Sequence, residues 1–150
     1  MKIIARALLG LVTLVLVSVA VAYLAVRGSL PVIDGERQAA GLEGATVVER
    51  DSVGAVTITG HSRADVAYAT GFVHAQDRFF QMDLSRRMSG GRLSELVGDA
   101  AMDMDARQRI HRFHDVAERV YVQLAPAEKT LLDAYARGVN AGLESLRVRP

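Results

Sequence analysis

The side chains best suited to acid–base chemistry lie in residues 71–87, GFVHAQDRFFQMDLSRR. His74, Asp77 and Arg78 are three and four residues apart, so in a helix their side chains can meet on one face. Such a group could act as a His–Asp pair for base catalysis. The sequence contains no Gly-x-Ser-x-Gly motif to supply a serine nucleophile. We therefore favour the alternative, a buried polar network that fixes the packing of the helix.

A second group of residues could bind a metal ion. His111 and His114 are three residues apart, and Asp115 is adjacent to them. A third ligand would come from Asp105 or Glu118, but this spacing matches no strong zinc motif. Four arginines on the same segment disfavour a bound cation: Arg107, Arg109, Arg112 and Arg119. We favour a polar face that is solvated or adjacent to substrate.

Three arginines surround the short segment Ser89-Gly90-Gly91 and could bind a carboxylate or phosphate, because a planar guanidinium suits such anions. They are Arg86, Arg87 and Arg92. Acidic residues that could neutralise them lie nearby in the sequence, namely Asp83, Glu95 and Asp99. Asp83 and Arg87 have the spacing of an ion pair on one helix face. We favour ion pairs over an anion site.

One long helix must position most of these groups. Ser62 is placed to cap its N-terminus, with Asp65 three residues later as in a capping box. Ser89-Gly90-Gly91 ends the helix after about Met88. Its apolar residues are spread around the axis, a pattern typical of a helix buried in a protein larger than this chain. Three aromatic residues at helical spacing predict core, although they could line an apolar substrate pocket: Phe72, Phe79 and Phe80.

Two runs of β-branched residues, 46–50 and 55–59, predict a β-hairpin before that helix. Asp51, Ser52 and Gly54 lie between the runs as turn formers. An isolated hairpin is marginal in water, so these strands need further sheet that the sequence does not offer. The predicted fold class is therefore α+β, mostly helical with one β-hairpin.

Shorter helices follow the long one. Residues 93–97 predict one or two turns that stop at Gly98. Asp103 is the next plausible cap, and a single amphipathic helix is predicted after it from apolar residues at steps of four and three: Ala106, Ile110, Phe113, Ala117, Val120 and Leu124. Pro126 suits the first turn of the last helix.

The last helix has an apolar face formed by Leu131, Tyr135, Val139, Leu143 and Leu146. Tyr135 and Asn140 are expected to pack at a close helix crossing, where Gly138 and Gly142 make room for the neighbouring backbone.

The first 27 residues form an apolar run flanked by basic residues. No charge occurs in residues 7–26, whereas Lys2 and Arg6 precede the run and Arg27 follows it. This length can span a bilayer, with the N-terminus in the cytoplasm. A cleavable signal peptide, cut after Ala20-Val21-Ala22, is the other interpretation, and a buried core helix is the least favoured. The first two both predict export, with residues 28–44 as a linker and residues 45–150 as the truncated N-terminal part of a domain.

Composition excludes several classes of protein. After residue 27 the chain carries 15 basic against 17 acidic side chains, which argues against nucleic-acid binding. The sequence has no cysteine, so it holds no disulfide, thiolate nucleophile or cysteine metal site. A chain of 150 residues allows one domain at most.

Three blocks occur in order along the chain: YATGFVHAQDRFFQMDLSRR, GRLSELVG and LLDAYARGVNAGL. From about residue 29 to residue 146 the sequence resembles the N-terminal part of the penicillin acylase (penicillin amidase) family of N-terminal-nucleophile hydrolases. The resemblance implies part of a four-layer αββα sandwich in which later sequence supplies the rest of the sheet. It also implies an exported precursor that cuts itself into a small and a large chain.

In that family the large chain begins with a Ser that attacks an acyl amide, and its own α-amino group acts as the base. Substrates differ among family members and include penicillins, acyl-homoserine lactones and lipopeptides. This sequence reaches Pro150 before the family's nucleophile, oxyanion hole and calcium-ligand positions, so no catalytic, metal or cofactor residue can be carried over. Calcium remains possible in a full-length member. Residues 54–58 also lack the Pro-His that the family often has before the Ile.

None of the serines between Ser52 and Ser145 matches the family nucleophile: Ser52, Ser62, Ser85, Ser89, Ser94 and Ser145. We therefore expect this chain alone to be inactive and to expose apolar patches meant for the remainder of the precursor. The alternative hypothesis is a membrane-tethered, non-catalytic helical module that binds a partner on the exported side. A third hypothesis is a frameshifted acylase sequence, or a fragment from the edge of an assembled contig, with no functional product.

Overall fold

The computed structural model describes residues 2–28 and 30–146. Six α-helices and one hairpin follow in the order α1 Lys2–Gly28, β1 Val47–Arg50, β2 Val56–Thr59, α2 Arg63–Ser89, α3 Ser94–Val97, α4 Met102–His111, α5 Phe113–Gln123 and α6 Pro126–Ser145. A 3-10 turn, Gly98–Ala101, joins α3 to α4. The predicted mostly helical α+β fold with one hairpin is confirmed.

The core of the described chain is the contact between α2 and α6. Its buried residues are small or flat: Tyr68, Ala69, Gly71, Val73 and Ala75 on α2, with Ala134, Gly138 and Gly142 on α6. Glycine allows this approach, because a Cβ at Gly142 would lie 2.5 Å from the Phe72 carbonyl oxygen. A close crossing at Gly138 and Gly142 was predicted and is confirmed. Asn140, predicted to join the packing, is exposed instead.

The boundaries of α2 follow the local signals in the sequence. Ser62 accepts from the Asp65 amide at 3.1 Å and Asp65 accepts from the Ser62 amide at 3.2 Å, so the predicted capping box is present. Gly90 caps the other end. Arg78 has φ −143° and ψ 22°, which kinks the helix. Every buried residue of α2 precedes this kink.

The sequence pattern predicts burial of α2 in a protein larger than this chain, and within the described residues only the first half of the helix is buried. Phe72 and Phe79 are half-buried, but Phe80 is 64% exposed, so the prediction of core fails at Phe80. Among residues 2–28 and 30–146, no element covers the second half of α2 closely enough to bury a residue there.

The hairpin forms where it was predicted. Val47 pairs with Thr59 and Arg50 with Val56 in an antiparallel register. The carboxylate of Asp51 accepts from the amides of Val53 and Ala55 at 3.0 and 2.8 Å, which closes the turn. Within the described residues the sheet has these two strands and no more.

The prediction of a single helix after Asp103 is wrong, because the structure has two helices, α4 and α5, in this stretch. Arg112 adopts φ 52° and ψ 42°, the left-handed conformation, and separates α4 from α5. The break lets the Phe113 ring stack on His111 with centroids 5.2 Å apart, and Arg112 Nε donates to Asp115 at 2.6 Å. The predicted cap is wrong too, since α4 begins at Met102 without a side-chain cap.

Helix α1 stands apart from the rest of the protein. The stretch Leu8–Gly28 is long and apolar enough to cross a membrane, and none of it is buried against other elements. A signal sequence near an N-terminus satisfies the same criteria of length and composition.

We predict that Gly138→Ala destabilises the α2–α6 pair, although Ala is the better helix former. The new Cβ would overlap the Tyr68 carbonyl and lie 2.8 Å from its carbon, so the helices must separate. Such overpacking costs about 1–3 kcal/mol. Amide hydrogen exchange of the chain in detergent should show a matching loss of protection in α2 and α6. The exposed Asn140→Ala serves as the control, and equal protection in the two variants would contradict the prediction.

We predict that Arg112→Gly stabilises the α4–α5 junction by roughly 0.5–1 kcal/mol, because left-handed backbone is strained for any residue with a Cβ. Arg112→Ala separates the two contributions, since it removes the exposed ion pair to Asp115 and keeps the strain. Amide exchange in α4 and α5 should slow in the Gly variant and not in the Ala variant. Faster exchange in the Gly variant would show that the strain is negligible.

Candidate functional site

A cleft of about 410 Å³ lies between the segment that follows α1, strand β1, and helices α2 and α6. Its lining includes Val32, Arg37, Arg50, Phe72, Gln76 and Glu144. Within that segment, residues 30–46 have no regular secondary structure, yet they are held in place. Gln76 donates to the Val32 carbonyl at 3.2 Å, and the Arg37 guanidinium lies 5.8 Å from the centre of the Phe72 ring.

Asp65 fixes this segment to α2. Its side chain is fully buried and accepts from the Glu43 amide at 2.8 Å as well as from the Ser62 amide. The hydrogen bond from Glu43, helped by those from Ser62, holds the pKa of Asp65 below its ordinary value of 3.8 against the opposing effect of burial. The sequence revealed the capping role of Asp65 but not the bond to Glu43, which is 22 residues away.

His74, Asp77 and Arg78 do not form a common site. His74 Nδ1 lies 3.0 Å from the Tyr135 hydroxyl on α6, whereas Asp77 forms two hydrogen bonds, of 2.9 and 3.0 Å, with the guanidinium of Arg50 on β1. Arg78 lies at the kink. The structure thus supports the packing interpretation over the catalytic one. It corrects one detail, since His74, Asp77 and Arg78 are exposed.

Asp105 is not a metal ligand beside the histidines, which corrects one of the two options considered for the third ligand. It is 2% exposed and accepts from the Leu93 and Ser94 amides at 2.9 and 2.8 Å and from the Ser94 hydroxyl at 2.6 Å. Burial alone would raise its pKa, but the hydrogen bonds from Ser94 and Leu93 and the charge of Arg109 lower the pKa overall. Asp105 therefore fixes the start of α3 against α4.

The remaining members of the candidate metal cluster are close together at the surface. Ligand atoms of His114, Asp115 and Glu118 lie within 4.8 Å of one another. His111 is not part of this group and stacks on Phe113, and Arg112 already neutralises Asp115. A solvated polar face remains the better interpretation, because exposed acidic groups are common without a metal.

The arginines near Gly90 are neutralised by local acids. Arg87 bonds Asp83 at 2.7 Å and Glu95 at 2.5 Å, while Arg86 pairs with Asp83 and Arg92 with Glu95. Hydrogen bonds from Arg87 and Arg86 lower the pKa of Asp83, and the bond from Arg92 lowers that of Glu95. The predicted ion pairs are confirmed except at Asp99, which pairs with none of these three arginines.

The hydroxyl groups serve local structure. Ser85, Ser89 and Ser145 donate to backbone carbonyls of their own helices, and Ser94 donates to Asp105. Within residues 2–28 and 30–146, no hydrogen bond joins a serine or threonine hydroxyl to a histidine. The polar groups described above therefore hold elements together and do not form a nucleophile–base pair.

Comparison with known proteins shows the family of this chain. A family model described as penicillin amidase matches residues 45–150. The chain belongs to the penicillin amidase family. It is 40% identical over 121 residues to the penicillin acylase 2 proenzyme of Pseudomonas sp. (strain SE83). This match covers 81% of the present chain and 16% of the proenzyme. The chain is 37% identical over 117 residues to the acyl-homoserine lactone acylase QuiP of Pseudomonas putida, covering 78% of this chain and 14% of QuiP.

A solved structure of the same family shares the fold. The thermostable penicillin G acylase from Alcaligenes faecalis matches with a TM-score of 0.64 and 34% identity, over 71% of this chain and 56% of that chain. The resemblance of the three sequence blocks to penicillin amidases is thus confirmed. This chain spans only about one sixth, 16%, of the length of the penicillin acylase 2 proenzyme.

We predict that Asp65 remains ionised to a pH below 3.8 in the folded chain. Because its folded-state pKa lies below the unfolded value, its stabilisation is complete above the unfolded value and is lost as the pH falls through the folded one. An NMR titration in detergent should show the Asp65 carboxyl and the Glu43 amide shifting together with one midpoint below 3.8. In Asp65→Asn the Glu43 amide should not titrate with that midpoint. A midpoint at or above 3.8 in the unsubstituted chain would contradict the prediction.

Proposed function

We propose that this chain is the N-terminal part of an exported acylase precursor that hydrolyses the acyl-amide bond of penicillin, acyl-homoserine-lactone or lipopeptide-type substrates. The observation that carries the proposal is the family match over residues 45–150 together with relatives that are a penicillin acylase and an acyl-homoserine lactone acylase. The role of the polar side chains supports it, because they brace helices and strands as parts of a framework.

The difference in coverage supports a precursor that is divided into two chains. The match covers 16% of the penicillin acylase 2 proenzyme but 56% of the chain in the solved penicillin G acylase. The matched part fills more than half of the solved chain but only a small fraction of the proenzyme, so the solved chain is much shorter than the proenzyme. This is expected if the solved chain is the small chain of a cut precursor. The remainder of this precursor, the large catalytic chain, is then the principal partner of residues 45–150.

The proposed chemistry belongs to that large chain. A Ser at its new N-terminus, beyond Pro150, attacks the acyl amide while its own α-amine accepts the proton, and an oxyanion hole stabilises the tetrahedral intermediate. The present chain contributes the framework and is inactive alone. Residues 1–27 act as signal or membrane anchor, residues 28–44 as a linker, and residues 45–150 as the small-chain domain. The exposed apolar helix α1 supports export.

The experiment that tests this function begins with the coding sequence beyond Pro150. We expect an open frame that contains a Ser at an internal processing site. The precursor should release free amine from a penicillin or an acyl-homoserine lactone, its Ser→Ala variant should not, and the present 150 residues alone should release none. A stop codon after Pro150 with a well-folded soluble product would favour the non-catalytic binding module. Hydrolysis by residues 28–150 alone would contradict the location of the nucleophile.

A further inference from the structure

Helix α5 projects from the rest of the chain. Of its residues Phe113–Gln123 only Asp115 is half-buried, and the others are exposed. Its side-chain contacts with α6 include two hydrogen bonds, from the Tyr121 hydroxyl to Asp133 at 2.7 Å and from Lys129 to the Val122 carbonyl at 2.8 Å. The Lys129 ammonium also lies 5.8 Å from the centre of the Tyr121 ring. An isolated helix of this length is marginal in water and normally needs packing against other elements. The exposure of α5 shows that the described residues supply little of this packing.

The exposed side of α5 carries a stripe that we call the α5 stripe: Phe113, Val116, Ala117 and Val120. These positions are i, i+3, i+4 and i+7, the spacing with which an amphipathic helix enters an apolar groove. Phe113 is 49% exposed, Val116 41% and Val120 52%. Val122 is 72% exposed but lies roughly half a turn from Val120, outside the stripe.

We propose that α5 docks by the α5 stripe into an apolar groove formed by the later part of the acylase precursor. This inference rests on the proposed function, because that function supplies the partner. The match covers only 16% of the proenzyme relative, so most of the polypeptide that could cover the stripe lies outside the matched region.

Two other occupants fit the stripe less well. Helices that lie on anionic membranes carry Lys and Arg on their polar face, whereas the polar face of α5 carries Asp115 and Glu118 beside Arg119. A second copy of the chain would meet it through four stripe residues, on about two turns of helix. That contact is small beside the roughly 1,200–2,000 Å² of a stable interface.

The absence of cysteine from residues 1–150 allows a direct test by maleimide labelling. Val120→Cys places a thiol in the stripe, and Val122→Cys places one two residues away on another face. In the present chain in detergent, both thiols should react at similar rates. In the complete precursor, labelling of residue 120 should slow by at least about tenfold while residue 122 changes less than twofold, with the labelled peptide identified by mass spectrometry.

Each alternative outcome overturns the proposal in a different way. Equal labelling of the two positions in the folded, active precursor would show that the stripe stays uncovered, and it would leave the proposed function standing. Protection of residue 120 only after adding phosphatidylglycerol vesicles would assign the stripe to a membrane. Protection that rises with the concentration of the present chain alone would assign it to a second copy. A coding sequence without the later acylase part would refute the proposed function first and this inference with it.

Discussion

The close approach of α2 and α6 is the constraint on which the rest of the described structure depends. Gly71, Gly138 and Gly142 bring the backbones so near that an added Cβ would overlap the opposite helix or press against it. Dispersion between close-packed atoms then stabilises a core whose buried residues are mostly small. The segment after α1 and the hairpin attach to this pair, through Asp65 and through the Arg50–Asp77 ion pair.

Two buried carboxylates extend that organisation to segments that lie outside the α2–α6 contact. Asp65 and Asp105 each accept backbone amides from another part of the chain, so their charges are compensated by oriented donors without a full ionic partner. Losing either carboxylate would leave buried amides without acceptors, an expensive state. The same requirement explains why Asp105 cannot also serve a metal at His114, since its two oxygens are occupied at the start of α3.

Local signals predicted much of this fold. The Ser62–Asp65 capping box, the turn at Asp51 and Pro126 each depend on neighbouring residues, and the structure bears out each of them. The break at Arg112 was missed because the apolar spacing continues through it and a left-handed Arg has no sequence signal. The partners of His74 and Asp77 were missed for another reason: helical spacing shows which side chains can meet on one helix, but not that α6 and β1 reach them first.

Contacts between different elements also explain why the polar side chains of this chain have structural roles and not catalytic ones. A catalytic pair needs a nucleophile and a base that face each other, yet His74 bonds a tyrosine and Asp77 bonds an arginine, each in a contact between two elements. Groups committed to such contacts hold their geometry but are poorly available for proton transfer. A two-stranded sheet and an uncovered α5 are, by contrast, surfaces that gain stability when further polypeptide packs on them. The proposed acylase accounts for both features, since its remaining sequence would supply the nucleophile and cover these surfaces.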